Sequence, residues 1–183
     1  MRQCLFLFIA GLSLYACNEP TPGETAKAST GDSANEAVTI AYPYTPNYSS
    51  KFEIGNPQNV KMVQDLWKHW DNNMLDEAAG FFADSVTMQF HDGFILHGSR
   101  DSVTAIGKRQ RGKFTRVTSS VDACVALKST DKDEEWVCIW GKEVTEDAKG
   151  KIDSLHLQEN WRLDKNGKVV QLVQFAAKPW KRQ

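Results

Sequence analysis

Residues 155–177 read LHLQENWRLDKNGKVVQLVQFAA, two largely apolar runs on either side of a polar turn. In the first run, residues 155–163, most odd positions hold leucine or tryptophan and every even position holds a polar side chain. Alternation with a period of two is typical of a β-strand that has one buried face. The turn at 164–168 contains Asn-Gly, which favours a tight antiparallel hairpin into a last strand over residues 169–177. This stretch predicts a sheet with an apolar inner face.

The same period of two continues upstream. We expect strands over residues 115–127 and 136–144, separated by a polar turn at 129–133, and a second polar turn at 147–150 leads into the strand described above. Strands joined in sequence by short polar turns form an antiparallel meander.

The pattern before residue 112 is mainly helical. Asn56-Pro57 is a typical helix start, because asparagine is a good N-cap and proline suits the first helical position. An apolar stripe with three- and four-residue steps predicts a helix to about residue 73: Val60, Val63, Trp67, Trp70 and Met74. We also expect helices over 75–82 and 99–111, and short strands over 86–91 and 94–97. Helices followed by a long antiparallel sheet predict an α+β fold.

Residues 1–17 have the pattern of an export signal. Arg2 precedes an apolar run over residues 5–14, and Leu14-Tyr15-Ala16-Cys17 follows at once. This sequence resembles the lipobox of bacterial lipoproteins, which implies that Cys17 is acylated and anchors the mature chain to a bacterial membrane. The alternatives are an ordinary secretory signal, with Cys17 incidental, or an anchor that is never cut. In each case we expect an exported protein of the cell envelope.

The rest of the chain divides into a tether, residues 18–50, and one domain, residues 51–183. The tether is rich in small and polar residues, and such a stretch cannot bury enough surface to offset its ordering entropy. Tyr42, Tyr44 and Tyr48 break this pattern at its end, so contact of the segment from about residue 41 with the domain is the alternative there. The net charge is only −1, so it gives no reason to expect a nucleic-acid partner. We interpret the basic residues around the third helix as a solvated face, with contact to an anionic membrane as the alternative: Arg100, Lys108, Arg109, Arg111, Lys113 and Arg116.

The order of these elements resembles a known superfamily over residues 56–177. The residues that carry the resemblance are the Trp67/Trp70 helix, MQFHDG at 88–93, Gly98 with Ser102-Val103, WVCIWG at 136–141 and DKNGKV at 164–169. Together they resemble the nuclear transport factor 2-like superfamily, specifically its SnoaL-like polyketide-cyclase branch. The resemblance implies a cystatin-like α+β roll, in which a cone-shaped, strongly curved, mixed or antiparallel sheet wraps around the N-terminal helices. It also implies a pocket, and a homodimer through the outer face of the sheet.

Two carboxyl groups are candidates for chemistry in such a pocket. Glu159 shares the odd positions of its strand with leucine and tryptophan, and burial there raises the pKa of a carboxyl unless a cation or donor meets it. General acids and bases are made in this way. The alternative for Glu159 is a place at the pocket opening, paired with lysine or arginine. Asp92 follows the inward positions of the strand over 86–91, but Asp-Gly is also a common turn pair, and we favour the turn role.

Aromatic side chains are expected to line the pocket as a group, although for any single one of them we favour plain core packing. The predicted lining consists of Trp67, Trp70, Met88, Phe90, Asp92, Trp140, Glu159 and Trp161. The histidines are scattered, at 69, 91, 97 and 156, without a spacing that would hold a metal. We therefore expect neither a metal nor a cofactor.

Two cysteines remain in the domain. A hairpin centred on Asp131 makes Cys124 the direct cross-strand partner of Cys138. Opposed Cα atoms lie near the distance that a disulfide requires, and an exported domain can keep one. We predict that the two cysteines touch, either bridged or as thiols.

Three functions compete. The first is a membrane-tethered pocket protein that binds a small, mostly apolar organic molecule without catalysis, because no complete catalytic set is recognisable. The second is an acid–base enzyme of the isomerase, dehydratase or cyclase type that uses Glu159 or Asp92, as the resemblance implies for catalytic relatives. The third is an interaction module for another envelope protein.

Overall fold

A computed structural model of the protein describes residues 41–179, so the predicted signal peptide, Cys17 and most of the tether lie outside the described residues. The elements in chain order are β1 (Phe52–Ile54), α1 (Pro57–Asp71), α2 (Leu75–Ala78), a 3-10 turn (Ala79–Phe81), β2 (Phe82–Gln89), β3 (Ile95–Ser99), α3 (Arg100–Arg111), β4 (Phe114–Ser129), β5 (Glu134–Asp147), β6 (Ile152–Leu163) and β7 (Val169–Ala177). No helix among these is long and apolar enough to cross a membrane.

The strands form one sheet in the order β1-β4-β5-β6-β7-β2-β3. Neighbouring strands are antiparallel except β2 and β7, which pair in parallel. The sheet is curved, and its concave face is covered by the helices, which confirms the predicted α+β cone with a mixed sheet. The predicted meander corresponds to β4–β7.

The start of α1 follows the sequence signal. The Asn56 side chain accepts a hydrogen bond from the Gln58 backbone N–H at 2.9 Å, and Pro57 occupies the first turn. Val63, Leu66 and Trp67 are buried against the sheet, so the apolar stripe gives α1 its position on the concave face.

The end of α1 is held by Arg111, the last residue of α3. Its guanidinium donates to the carbonyls of Trp70 at 2.7 Å, Asp71 at 2.9 Å and Phe114 at 2.8 Å. A cation at these carbonyls satisfies groups that a helix C-terminus leaves without partners, and it complements the helix dipole. The predicted solvated basic face is therefore wrong for Arg111, which is only 4% exposed.

Other members of that basic group pair with acids on the surface. Arg100 contacts Asp84 at 2.6 Å, Lys108 contacts Asp76 at 2.7 Å and Arg116 contacts Glu146 at 2.9 Å. These pairs balance much of the positive charge that the sequence concentrates around α3.

The register of β4 and β5 separates the two cysteines. Cys124 pairs with Ile139, and Val125 pairs with Cys138. Because successive side chains of a strand point to opposite faces, Cys124 lies on the inner face with Ile139, while Cys138 lies on the outer face. The predicted contact and disulfide are wrong, and both cysteines are free thiols.

The cause is the turn between these strands. Ser129 pairs with Glu134, so the loop has an even number of residues and is not centred on Asp131. Asp133 adopts a left-handed conformation with φ of 52°. Further along, a bulge between Val121 and Ala123 shifts the register again.

The segment just before the predicted domain contacts it, and the domain begins with a short strand. Strand β1, which the sequence pattern did not indicate, pairs with β4 from Phe52 opposite Ser129. Ser49 donates to the Asp131 carboxylate at 2.5 Å, and the Tyr48 ring packs edge-on against Trp136. The last residues of the predicted tether thus lie against the domain.

Candidate functional site

A cavity of about 530 Å³ lies between the concave face of the sheet and the helices. Most of its lining is apolar and comes from both layers: Leu66, Trp67, Trp70, Leu75, Ala78, Phe82, Met88, Phe90, Phe94, Leu96, Val103, Ile106, Phe114, Leu155, Leu157, Trp161 and Leu172. Two carboxyl groups, Glu143 and Glu159, project into this lining from neighbouring strands.

Glu159 forms the inner site, together with the side chains of Trp67, Trp161 and Gln174. The indole N–H groups of Trp67 and Trp161 donate to Glu159 Oε2 at 2.7 and 3.0 Å, and Gln174 Nε2 donates to Oε1 at 2.8 Å. Burial raises the pKa of the Glu159 carboxyl, and the three donors partly oppose that shift. Glu159 is 4% exposed, so the structure places it inside the cavity wall and not at the opening.

Glu143 and Trp70 form the outer site. Trp70 Nε1 donates to Glu143 Oε2 at 2.6 Å, and this is the one hydrogen bond that the carboxyl makes within residues 41–179. Burial raises the pKa of Glu143, with further increases from the charges of Glu159 and Asp71. Glu143 is half-buried and also borders a second cavity of about 220 Å³. Its Oε1 is therefore a polar atom that remains open to a partner.

Gly141 makes room for the inner site. It lies two residues before Glu143 on the inner face of β5, and the Trp67 ring covers it. A Cβ at this position would lie 2.2 Å from the Ser120 carbonyl oxygen and 2.9 Å from Trp67 Cζ3. Only glycine lets the indole approach the strand closely enough to reach Glu159.

Seven of the eight side chains predicted to line the pocket do so: Trp67, Trp70, Met88, Phe90, Asp92, Glu159 and Trp161. The eighth, Trp140, is 39% exposed on the outer face. The inner positions of β5 are Val137, Ile139, Gly141 and Glu143, so the aromatic residue has the wrong parity. Sequence reasoning missed Glu143 for the same reason. Glu143 could have been identified because it shares the odd-numbered positions of β5 with Val137 and Ile139, which form the inner face of the strand.

Asp92 lies at the opening of the cavity and has the turn role that we favoured. Its Oδ1 accepts from the Phe94 backbone N–H at 3.0 Å, and Gly93 has a φ of 85°. His91, also at the opening, lies with Nδ1 2.8 Å from Gln174 Oε1. Because that amide oxygen can only accept, His91 Nδ1 carries the proton. No group of three or more His, Cys, Asp or Glu side chains that could hold a metal occurs in residues 41–179.

No protein-family model and no curated protein matches the sequence. Among solved structures, an LEH-like epoxide hydrolase from M. tuberculosis is similar at a TM-score of 0.55 and 9% identity, over 66% of this chain and 83% of that chain. An NTF2-like protein of unknown function from Exiguobacterium sp. 255-15 is similar at 0.51 and 18% identity, over 66% and 99%.

A SnoaL-like protein of unknown function from Burkholderia thailandensis E264 is similar at a TM-score of 0.50 and 16% identity, over 68% of this chain and 99% of that chain. At such identities the similarity concerns the fold. Together with the curved mixed sheet around three helices, it shows that this chain has the nuclear transport factor 2-like fold, shared with SnoaL-like proteins.

Proposed function

We propose that the domain binds a small, mostly apolar molecule in the cavity between the sheet and the helices. The observation that carries the proposal is the cavity itself: its volume of about 530 Å³ falls within the roughly 300–1,000 Å³ of ligand pockets, which are also mainly apolar with few polar groups. Glu143 would supply the polar contact, because its Oε1 is open. Glu159 is already held by three donors and would shape the wall.

The test uses a substitution that fills the cavity. Thr104 lines it from α3, and its hydroxyl has no hydrogen-bond partner among the described residues, so replacing it removes no bond. Thr104→Trp should abolish the ligand adduct that native mass spectrometry detects on freshly purified protein. Ala105→Trp, on the exposed face of the same helix, is the matched control and should keep the adduct. An adduct retained by Thr104→Trp, or absent from the unmodified protein, would contradict the proposal.

Acid–base catalysis is a second candidate, favoured by the raised pKa of Glu143 and its open oxygen beside the cavity. A carboxyl whose pKa lies closer to neutrality can both take and give a proton. Among the fold's neighbours, the M. tuberculosis protein is an epoxide hydrolase. Glu143 is better placed than the candidates chosen from sequence, because Glu159 is held by three donors and Asp92 caps a turn.

The catalytic candidate is tested by deuterium exchange next to the carbonyl of cyclic ketones in D2O. Glu143→Gln should abolish the protein-dependent exchange, and Asp92→Asn should leave it unchanged. If no ketone exchanges faster with the protein than without it, the catalytic candidate is wrong for this class of compound.

We also propose that Cys17 is the lipid-bearing N-terminus of the mature chain, supported by the signal and lipobox pattern of residues 1–17. Replacement by Cys17→Ser should release the protein from the membrane fraction and end labelling with radioactive palmitate. Cys124→Ser, a cysteine inside the domain, is the control and should change neither. Membrane association that survives Cys17→Ser would show that acylation does not hold the protein there.

A further inference from the structure

We propose that the ligand is an organic cation, an apolar molecule with an ammonium group that pairs with Glu143. This inference rests on the proposed binding function of the cavity and specifies the chemistry of its ligand.

The charges around the cavity favour a cation. Its ionisable lining consists of His91, Asp92, Lys113, Glu143 and Glu159. The first three are exposed at the opening, where Lys113 Nζ contacts the Gln110 side chain. The two side chains inside are both carboxyls, and none of the salt bridges within residues 41–179 involves either of them.

The nearest buried cation does not neutralise the carboxyls by direct contact. Arg111 lowers the pKa of Glu143 through its charge, but its guanidinium is committed to three backbone carbonyls at 2.7 to 2.9 Å. Moving it to Glu143 would leave the end of α1 without these bonds. The protein therefore supplies negative charge to the cavity and keeps its own buried cation elsewhere.

The Trp70 indole holds Glu143 in place for an ionic partner. Trp70 Nε1 holds Oε2 at 2.6 Å, which fixes the carboxyl and favours its ionised form. Burial and the charges of Glu159 and Asp71 oppose ionisation. An ammonium group at Oε1 would favour the ionised form of the Glu143 carboxyl and add a charge-assisted hydrogen bond. A neutral molecule gains less, and an anion would be repelled.

The test compares three probes with the same apolar body: 1-naphthylmethylamine, 1-naphthalenemethanol and 1-naphthoate. Binding to the purified protein is measured by isothermal titration calorimetry at pH 7.5. We expect the amine to bind about tenfold or more tighter than the alcohol, since a hydrogen bond to a charged group is worth more than a neutral one. The carboxylate should bind most weakly.

Two substitutions on β5 test whether Glu143 is the group that favours the amine. Glu143→Gln keeps an oxygen for Trp70 but removes the charge, and should bring the amine to the affinity of the alcohol while leaving the alcohol unchanged. Glu146→Gln, on the same strand but paired with Arg116 outside the cavity, should alter no probe.

The experiment distinguishes failure of the cation proposal from failure of the proposed binding function. If alcohol and amine bind equally and Thr104→Trp blocks both, the cavity binds apolar molecules and the preference for cations is wrong. If the preference for the amine persists in Glu143→Gln, Glu143 is not its partner. If no probe binds, neither the cation proposal nor the binding function holds for molecules of this size.

Discussion

The inner and outer sites face the same cavity, yet the protein supports their carboxyls unequally. Glu159 receives three N–H donors from three different elements, α1, β6 and β7. Glu143 receives one, from Trp70 of α1. Both carboxyls have a raised pKa, with burial as the main cause. The difference teaches that two carboxyls with the same direction of pKa shift can differ in how many donors already hold them, so the pKa alone does not say which one is open to a partner.

The largest expected effect comes from Gly141→Ala, which should break the inner site and leave the outer site. The new Cβ would collide with the Ser120 carbonyl and the Trp67 ring, so Trp67 must leave Glu159. We expect a loss of about 3 kcal/mol in the free energy of unfolding, measured by urea titration.

The control for Gly141→Ala is Gly107→Ala in α3, where the nearest atom to the new Cβ is Leu75 Cδ1 at 3.8 Å. Alanine in a helix interior should stabilise by up to about 1 kcal/mol relative to glycine. Equal effects of the two substitutions would show that Trp67 does not need the approach that Gly141 allows.

The comparison is sharpened by removing each carboxyl in turn. Glu159→Ala leaves three donors without an acceptor and should cost about 3 kcal/mol, whereas Glu143→Ala leaves one and should cost about 1 kcal/mol. Urea unfolding of both variants at pH 7 gives the two values. A larger cost for Glu143→Ala would reverse the assignment of wall and binding residue.

The smallest expected effect is a dependence of the free energy of unfolding on pH. Because the folded-state pKa of each carboxyl lies above its unfolded value, the folded protein holds more protons between the two values, and stability falls as pH rises through that window. The other charged groups near Glu143 are Asp71 and Arg111, together with Asp147, Lys151 and Asp153 beside the second cavity.

Urea midpoints between about pH 4.5 and 8 check this dependence, starting from the ordinary carboxyl pKa. Glu143→Gln and Glu159→Gln should each flatten the fall seen in the unmodified protein. The exposed carboxyls of Asp131 and Asp153 have lowered pKa values and act below this window, where they reduce stability as pH falls. A profile unaffected by either glutamine would mean that neither carboxyl titrates abnormally.

Sequence predicted the strand that carries Glu159 well, because β6 alternates cleanly between apolar and polar side chains. Strand β5 is apolar on both faces, with Trp136, Cys138 and Trp140 on one and Val137 and Ile139 on the other. Periodicity cannot choose between two such faces, and the larger aromatic side chains favoured the wrong one. The core of the fold was therefore predictable, and half of the site was not.

The register between β4 and β5 was the second feature that could not be predicted from the sequence. Whether Cys124 meets Cys138 depends on the turn between β4 and β5, that is, on the pairing of Ser129 with Glu134 and on the left-handed conformation of Asp133. Neither leaves a mark in a hydrophobic pattern. The hydrogen bonds of Arg111 could not be predicted either, because the sequence pattern at the end of a helix does not show whether an arginine there is solvated or buried.

Two of the three indoles that hold the carboxyls, Trp67 and Trp70, belong to one helix, three residues apart. Arg111 donates to the carbonyls at the end of that helix. A movement of α1 as a whole would move Trp67 and Trp70 together. We therefore expect a molecule that shifts α1 to change the hydrogen bonds of Glu143 and Glu159 together.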